Sequence, residues 1–187
     1  RLVFEEVKPA VRQSTEETLV DSANLIAEIV REDLVAGRLA QGNLAGILET
    51  YGKRHPGAQI WGIRKDEVTH RVYVTDAQGI VLLDSAGRDV GADYSRWNDV
   101  YLTLRGSYGA RSTETVPGDE RSTVMHVAAP VRDGDRIVGV VTVAKPNYSV
   151  QPFIERAERR LMGFAVLLMA TGLAAGAARV AGGGAKR

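Results

Sequence analysis

Two apolar segments separated by a short polar turn constrain the fold of this chain more than any other feature. Residues 122–131 and 136–145 flank the tetrapeptide RDGD. An Asp-Gly pair between apolar runs is a strong signal for a β-hairpin, because both residues tolerate the backbone conformations of a tight turn. The returning segment contains IVGVVTVA, which is almost wholly apolar and therefore typical of a strand covered on both faces. The sequence thus predicts a sheet with this strand at its centre.

A second hairpin is predicted upstream, at residues 71–75 and 80–84. Asp76-Ala-Gln-Gly79 joins these two apolar runs. Asp at the first position and Gly at the last suit a type I turn that closes with a left-handed glycine. The other predicted elements of this region are a strand at 58–64, a helical turn or two at 96–104 and a strand near 110–115.

A long N-terminal helix is predicted from residue 9 to about residue 36, because no glycine interrupts this stretch. Apolar residues recur there at steps of three and four, at Leu19, Ala23, Ile26, Val30 and Leu34. A second, more mixed seam runs beside the first, along Val11, Ser14, Thr18, Ser22, Leu25 and Ile29. This second seam either faces a partner helix or forms the margin of one broad core face. With Gly37 as a C-cap and a shorter helix at 43–53, the elements predict an α+β fold: a central antiparallel sheet of five or six strands with helices packed on one face.

The C-terminal run 161–178 contains no charged residue and is flanked by Arg159, Arg160 and Arg179. A hydrocarbon core about 30 Å thick needs roughly 20 helical residues, so the run is at the short end of spanning. We predict a C-terminal transmembrane helix here; the alternative is a buried helix of a soluble domain. By the positive-inside tendency, the residues from Arg179 onward lie in the cytoplasm and the folded part lies outside.

Composition and motifs disfavour several classes of function. A net charge of +1 supplies no basic field for nucleic acid. Without cysteine there are no thiolate zinc sites and no thiol nucleophiles. The three histidines show no ligand spacing, the aspartates between residues 84 and 99 fit no calcium loop, and no catalytic motif is recognisable. We therefore expect no metal, no cofactor and no catalysis from this stretch of chain.

The segment 93–111, rich in aromatic residues and arginine, is the leading candidate for a binding site. It combines Tyr94, Trp97, Tyr101 and Tyr108 with Arg96, Arg105 and Arg111. Aromatic walls with bidentate guanidinium groups suit a small carboxylate or another anionic metabolite. Alternatively, the rings belong to the core and the arginines are solvated. His126, which alternates with its neighbours in a predicted strand, is either a pocket residue or a satisfied sheet histidine.

Several segments carry a resemblance to a known family. YVTDAQGIVLLDS (73–85), VGADYSRWNDVYLTLRGSYGARST (90–113) and VMHVAAPVRDGDRIVGVVTVAKPN (124–147) resemble the extracytoplasmic Cache, or PDC, sensor domains, whose sheet is PAS-like. The continuation VAKPNYSVQPFIERAERRL into the apolar run resembles more narrowly the CreC-type sensor histidine kinases. The resemblance covers nearly the whole chain.

The resemblance implies a homodimer with two membrane helices flanking a PAS-like sensor, a cytoplasmic kinase after the second helix, and a response regulator as its partner. It divides the chain into a signalling and dimer helix (1–37), a sensor domain (38–148), a connector helix (149–160), a transmembrane helix (161–180) and a flexible tail (181–187). In related domains the ligand lies between the sheet and the loop-helix that covers it. Carried over by position, this points to Trp97, Tyr101, Arg105, Tyr108, Arg111 and His126, with Lys145 at the end of the last strand.

The predicted function is therefore signal sensing on the periplasmic side of a bacterial inner membrane. The domain is expected to bind an unidentified small molecule and to pass a conformational change through the flanking membrane helices to a two-component histidine kinase. Two alternatives stay open: the sensor domain of a chemoreceptor or of a cyclic-dinucleotide enzyme, and a membrane-anchored interaction domain without a small ligand. An anchored hydrolase is disfavoured, because no nucleophile, base and orienting group are discernible.

Overall fold

The computed structural model describes residues 2–60, 62–119 and 122–146, together with Met162, Gly163 and Met169. The chain divides into two compact units, Arg1–Asn147 and Tyr148–Arg187. The predicted connector, transmembrane helix and tail belong to the second unit and, apart from those three residues, lie outside the described residues. In the described part of the chain, no helix combines the length and the apolarity that crossing a bilayer requires.

The first unit begins with helix α1 (Leu2–Val35), and Gly37 follows its end with a φ of 68°, as expected of the predicted C-cap. A 3-10 turn (Leu39–Gln41) and helix α2 (Asn43–Gly52) come next. The remaining elements are β1 (Ala58–Ile60), β2 (Ile63–Lys65), β3 (Arg71–Asp76), β4 (Val81–Asp84), α3 (Asn98–Leu104), β5 (Gly109–Glu114), β6 (Thr123–Asp133) and β7 (Arg136–Pro146).

Five strands form one antiparallel sheet in the order β4-β3-β7-β6-β5. At the end of the β6–β7 hairpin Asp133 lies opposite Arg136, so Gly134 and Asp135 make the turn. Gly134 has a φ of 60° there, a conformation that glycine adopts without steric cost. Strand β7 lies in the middle of the sheet and its residues 139–144 are all buried, which confirms the predicted central strand.

Helix α1 covers one face of this sheet. Three residues of its first seam, Leu19, Ala23 and Val30, are at most 1% exposed. The other two, Ile26 and Leu34, are partly buried, and the seam packs on valines of alternate strand positions such as Val127 and Val141. Apolar residues at steps of three and four thus meet a surface of β-branched side chains, and burial of both stabilises helix and sheet together. The predicted core seam is confirmed.

Helix α3 packs on the opposite face, so the prediction of helices on one face only is wrong. Val100 of α3 is fully buried against Tyr73, Ala128 and Val140. These strand residues alternate with those that face α1, and alternate residues of a strand point to opposite faces. Because β3, β6 and β7 carry buried side chains on both faces, the second surface also needs a cover.

The strand predicted at 58–64 is also wrong. Strands β1 and β2 occupy this segment and pair with each other, with Ile60 opposite Ile63, as a separate two-stranded sheet. The physical reason is Gly62, whose φ of 76° lies in the left-handed region that permits a tight reversal of the chain.

Candidate ligand site

Four residues form a row across the sheet. Arg71 of β3 lies opposite Ala144 of β7, Ala144 lies opposite His126 of β6, and His126 lies opposite Arg111 of β5. Side chains that are paired in this way point to the same face. The row therefore lies on the side of α3, one pleat away from Tyr73 and Thr142, which form the next row on that face.

Asp99 of α3 organises the polar contacts over these rows. Its carboxylate is fully buried and accepts hydrogen bonds from Arg111 Nε at 2.7 Å, from the Tyr73 hydroxyl and from Thr142 Oγ1 at 3.2 Å. A buried carboxylate needs a cationic partner and several donors to offset its lost hydration. Asp99 has both, and it thereby ties α3 to β3, β5 and β7.

His126 is 5% exposed and fully partnered. Its Nε2 lies 3.1 Å from Thr113 Oγ1, and its Nδ1 lies 3.3 Å from an Arg111 nitrogen and 3.4 Å from the Tyr73 hydroxyl. Burial, and secondly the positive charge of Arg111, lower the pKa of His126 to about 4. The ring is therefore neutral at neutral pH, with Nδ1 able to accept a hydrogen bond from the guanidinium group.

Arg71, at the other end of the row, holds the loop after β4. Its Nε and Nη2 each donate to the Asp84 carboxylate at 2.8 Å, and Nη2 also contacts Asp89. Asp84 in addition accepts hydrogen bonds from the backbone N–H groups of Ala86, Arg88 and Asp89. Burial alone would raise the pKa of Asp84, but these hydrogen bonds lower it to about 2, so the carboxylate stays charged.

Three of the predicted site residues, Trp97, Arg111 and His126, come together. The Trp97 ring stacks on Tyr94 with 3.5 Å between ring centroids. The Arg111 guanidinium lies 4.1 Å from the centroid of the Trp97 ring, while its Nε binds Asp99. Arg111 is 16% exposed, so it lies between an aromatic ring and a buried carboxylate, and its charge is already compensated.

The other predicted residues do not join this group. Tyr101 is 39% exposed, and the guanidinium of the exposed Arg105 lies 3.5 Å from the centroid of its ring. Tyr108 is 54% exposed and donates to Glu16 Oε1 of α1 at 2.5 Å. Lys145 is partly buried near the end of β7, where burial and then the charge of Lys65 lower its pKa.

A cavity of about 470 Å³ lies beside the row, where the end of α2 and the loops at 68–70 and 85–88 meet the sheet. A volume of this size accommodates a small metabolite. Of the six predicted residues only His126 lines it; its polar lining otherwise includes Tyr51, Thr69, His70, Arg71, Arg88 and Thr113.

Sequence reasoning missed these lining residues because they come from separate segments of the chain. The signal that was present is the pair His70-Arg71 directly before a strongly predicted strand, since binding groups are often placed at strand ends and on the loops beside them.

No protein-family model matches the chain. Over 179 residues, 96% of its length, the chain is 51% identical to Sensor protein CreC of Escherichia coli strain K12, and it spans 38% of that protein. This similarity confirms the predicted resemblance to the CreC-type sensor proteins.

Solved structures of sensor domains share the fold. The sensory domain of the Campylobacter jejuni chemoreceptor Tlp3 superposes with a TM-score of 0.51 at 17% identity, covering 80% of this chain and 59% of that one. The Tlp3 ligand-binding domain in complex with 4-methylisoleucine gives the same TM-score and identity, covering 80% and 57%. The N-terminal helix and the antiparallel sheet of this chain therefore match the fold of these two domains, as predicted.

Proposed function

We propose that this chain, a homologue of Sensor protein CreC, is the signal-sensing domain of a membrane-bound two-component sensor histidine kinase. The identity of 51% over 96% of the chain supports the assignment. The chain spans about two fifths of that relative's length, so the kinase activity, the response regulator and the periplasmic placement at a bacterial inner membrane are parts of the proposal. So are the domain boundaries and the transmembrane helix at 161–180.

The cavity beside His126 is the observation that carries small-molecule sensing. It opens on the face of the sheet covered by α3, and α1 packs on the other face. The ligand-bound Tlp3 domain, which has the same fold, was solved with 4-methylisoleucine, and this supports a small ligand in such a domain. We place the ligand in the cavity beside His126. Arg111 contacts the His126 ring, and Asp99 and the Trp97 ring hold Arg111 in position.

The signal reaches α1 through polar contacts at the edge strand. Tyr108, just before β5, donates to Glu16 of α1 at 2.5 Å, and Arg12 of α1 donates to Ser112 of β5 at 3.0 Å. A ligand that binds better to one arrangement of β5 against α1 shifts the equilibrium by that difference in affinity. The exposed second seam of α1, with Leu25 65% exposed, is the proposed contact between the two copies of a homodimer.

Thermal-shift screening with a cavity-filling variant tests small-molecule sensing. The full chain is screened against small carboxylates, sugars and amino acids, since a compound that binds only the folded state raises the melting temperature. Val124 lines the cavity, so Val124→Phe should abolish the rise. The matched control is Val116→Phe, at a valine that is 54% exposed and outside the cavity lining. A rise that survives in Val124→Phe would place binding elsewhere, and the absence of any rise would count against a small ligand.

A further inference from the structure

Of the six predicted site residues, only His126 lines the cavity, and it also belongs to the polar network around Asp99. Strand β7 places the apolar Ala144 opposite the ring. The charged and titratable groups that face the ring come from the other elements packed around it: Arg71 and Tyr73 of β3, Arg111 of β5, Asp99 of α3 and, across the cavity, Tyr51 of α2, His70 and Arg88. A change in the charge of this ring therefore acts on the cavity and on the network together.

Both nitrogens of the neutral His126 ring are committed. Nε2 lies 3.1 Å from Thr113 Oγ1, and Nδ1 lies 3.3 Å from Nη2 of Arg111. Because a guanidinium nitrogen only donates, this contact requires an unprotonated Nδ1, and the ring proton is therefore on Nε2. The Tyr73 hydroxyl, 3.4 Å from Nδ1, donates its own proton to Asp99. Arg111 is thus the group to which Nδ1 responds.

A proton on Nδ1 of His126 reverses this contact. Two donors then face each other 3.3 Å apart, and both groups carry a positive charge, so they repel each other. The Asp99 carboxylate already balances the charge of Arg111, whose Nε it holds at 2.7 Å. The Tyr73 oxygen lies within reach of the new N–H group, but Arg111 already donates to it at 3.3 Å. Protonation therefore favours an arrangement that separates Arg111 from His126.

Arg111 lies in the part of the described sheet that is least held by its neighbours. Strand β5 is an edge strand that pairs with β6 alone. Asp99 of α3 and the ring of Trp97, directly before α3, hold the Arg111 side chain, so a displacement of Arg111 also displaces α3. The next residue, Ser112, accepts a hydrogen bond from Arg12 of α1 at 3.0 Å. The same strand therefore contacts helices on both faces of the sheet.

We propose that His126 is a proton-operated switch: acid charges the ring beside Arg111, and the folded domain shifts to a second arrangement in which Arg111, with β5 and α3, has separated from the ring. The switch needs no ligand, so it is an input separate from the proposed small-molecule sensing.

The direction and size of the shift follow from proton linkage. In the present arrangement burial and Arg111 lower the pKa of His126 to about 4, and a ring released from both regains the ordinary value of 6.5. The second arrangement then binds the proton more tightly, so it is favoured as the pH falls. The ratio of the second arrangement to the first rises about twentyfold between pH 7 and pH 5.

NMR spectroscopy of the full chain in mild detergent between pH 7 and pH 5 tests the switch. The ring nitrogens of isotope-labelled histidine report the protonation of His126, and the side-chain N–H signals of Trp97 and Arg111 report the two arrangements. We expect the signals of the second arrangement to gain about twentyfold over those of the first. The far-UV circular dichroism should stay constant, because the protein stays folded. His126→Gln, which takes up no proton, should keep one set of signals throughout.

His70→Gln is the matched control, because His70 is a partly buried histidine that lines the same cavity and should not operate the switch. This variant should respond to pH as the wild type does. The switch is refuted if the response persists in His126→Gln or disappears in His70→Gln. It is also refuted if the folded wild type does not change down to pH 5, or if its signals change only as circular dichroism is lost, which is acid unfolding.

The wild-type titration decides the question even if His126→Gln fails to fold. The signals of Trp97 and Arg111 must then change at the pH at which the His126 ring takes up its proton, and a change at another pH overturns the proposal. The small-molecule proposal is tested separately, by compounds whose binding Val124→Phe blocks at pH 7. Either proposal can therefore fail while the other stands.

Discussion

Replacing Asp99 by asparagine tests whether the buried ion pair between Asp99 and Arg111 holds helix α3 on the sheet. Asparagine keeps the size of the side chain and removes its charge. The Arg111 guanidinium, only 16% exposed, then has no counter-ion, and it lies 3.3 Å from His126 Nδ1. The new amide NH₂ group also faces donors, the Tyr73 hydroxyl and Thr142 Oγ1, which the carboxylate accepted before.

The expected loss is about 3–5 kcal/mol of the free energy of unfolding, the usual result when one partner of a buried ion pair is removed. Urea unfolding of the full chain in mild detergent, followed by tryptophan fluorescence, measures it, because Trp97 stacks beside this network. The double variant Asp99→Asn with Arg111→Met should recover part of the loss, since it also removes the uncompensated cation.

Glu49→Gln is the matched control. Glu49 forms an ion pair with Lys53 at 2.8 Å, and both side chains are more than 70% exposed, so this substitution should leave the free energy of unfolding unchanged within error. The reasoning is refuted if Asp99→Asn is as stable as Glu49→Gln, or if the double variant is no more stable than the single one.

Three further predictions concern the histidine, a tightly packed glycine and the exposed seam. The unfolded state takes up the His126 proton near pH 6.5 and the folded state near pH 4, so the free energy of unfolding should fall by about 3 kcal/mol as the pH is lowered between these values. His126→Gln should remove this pH dependence, and an unchanged dependence of the free energy of unfolding on pH in the variant would contradict the prediction. A Cβ at Gly109 would lie 2.1 Å from the Asp99 carbonyl oxygen, so Gly109→Ala should cost about 2–3 kcal/mol in urea unfolding, and a neutral result would mean that the backbone yields there. Glutamate at both Leu25 and Ile29, which are 65% and 52% exposed, should weaken self-association by analytical ultracentrifugation; an unchanged oligomer mass would reject this seam.

Features that depend on neighbouring residues were predictable from the sequence. The β6–β7 hairpin follows from Asp133-Gly134 between apolar runs, and the buried seam of α1 follows from apolar residues three and four positions apart. In both cases the determining residues are close together in the sequence, so local steric preferences and the periodicity of burial decide which element forms. The membrane helix at 161–180 stays a prediction on the same kind of local argument.

The pairing of charges depended on tertiary structure. Nothing in the sequence distinguishes Arg111 from Arg105 and Arg96 as a binding residue. Of these three, only Arg111 forms an ion pair with Asp99, from the buried face of β5. That outcome depends on the register of β5 against β6, which places Arg111 beside His126. Register is set by the packing of whole strands, and a shift by one residue would turn Arg111 to the other face.

The amino-acid sequence by itself thus determined which segments become strands and helices in most of the domain and which homologous proteins it resembles. Only the tertiary structure decided where a ligand has room. Tyr51, His70 and Arg88 come from α2, the loop before β3 and the loop after β4, and they line one cavity only because the order β4-β3-β7-β6-β5 brings these segments to the same part of the sheet. Strand order results from many weak packing contacts summed over the whole domain, and no short stretch of sequence records that sum.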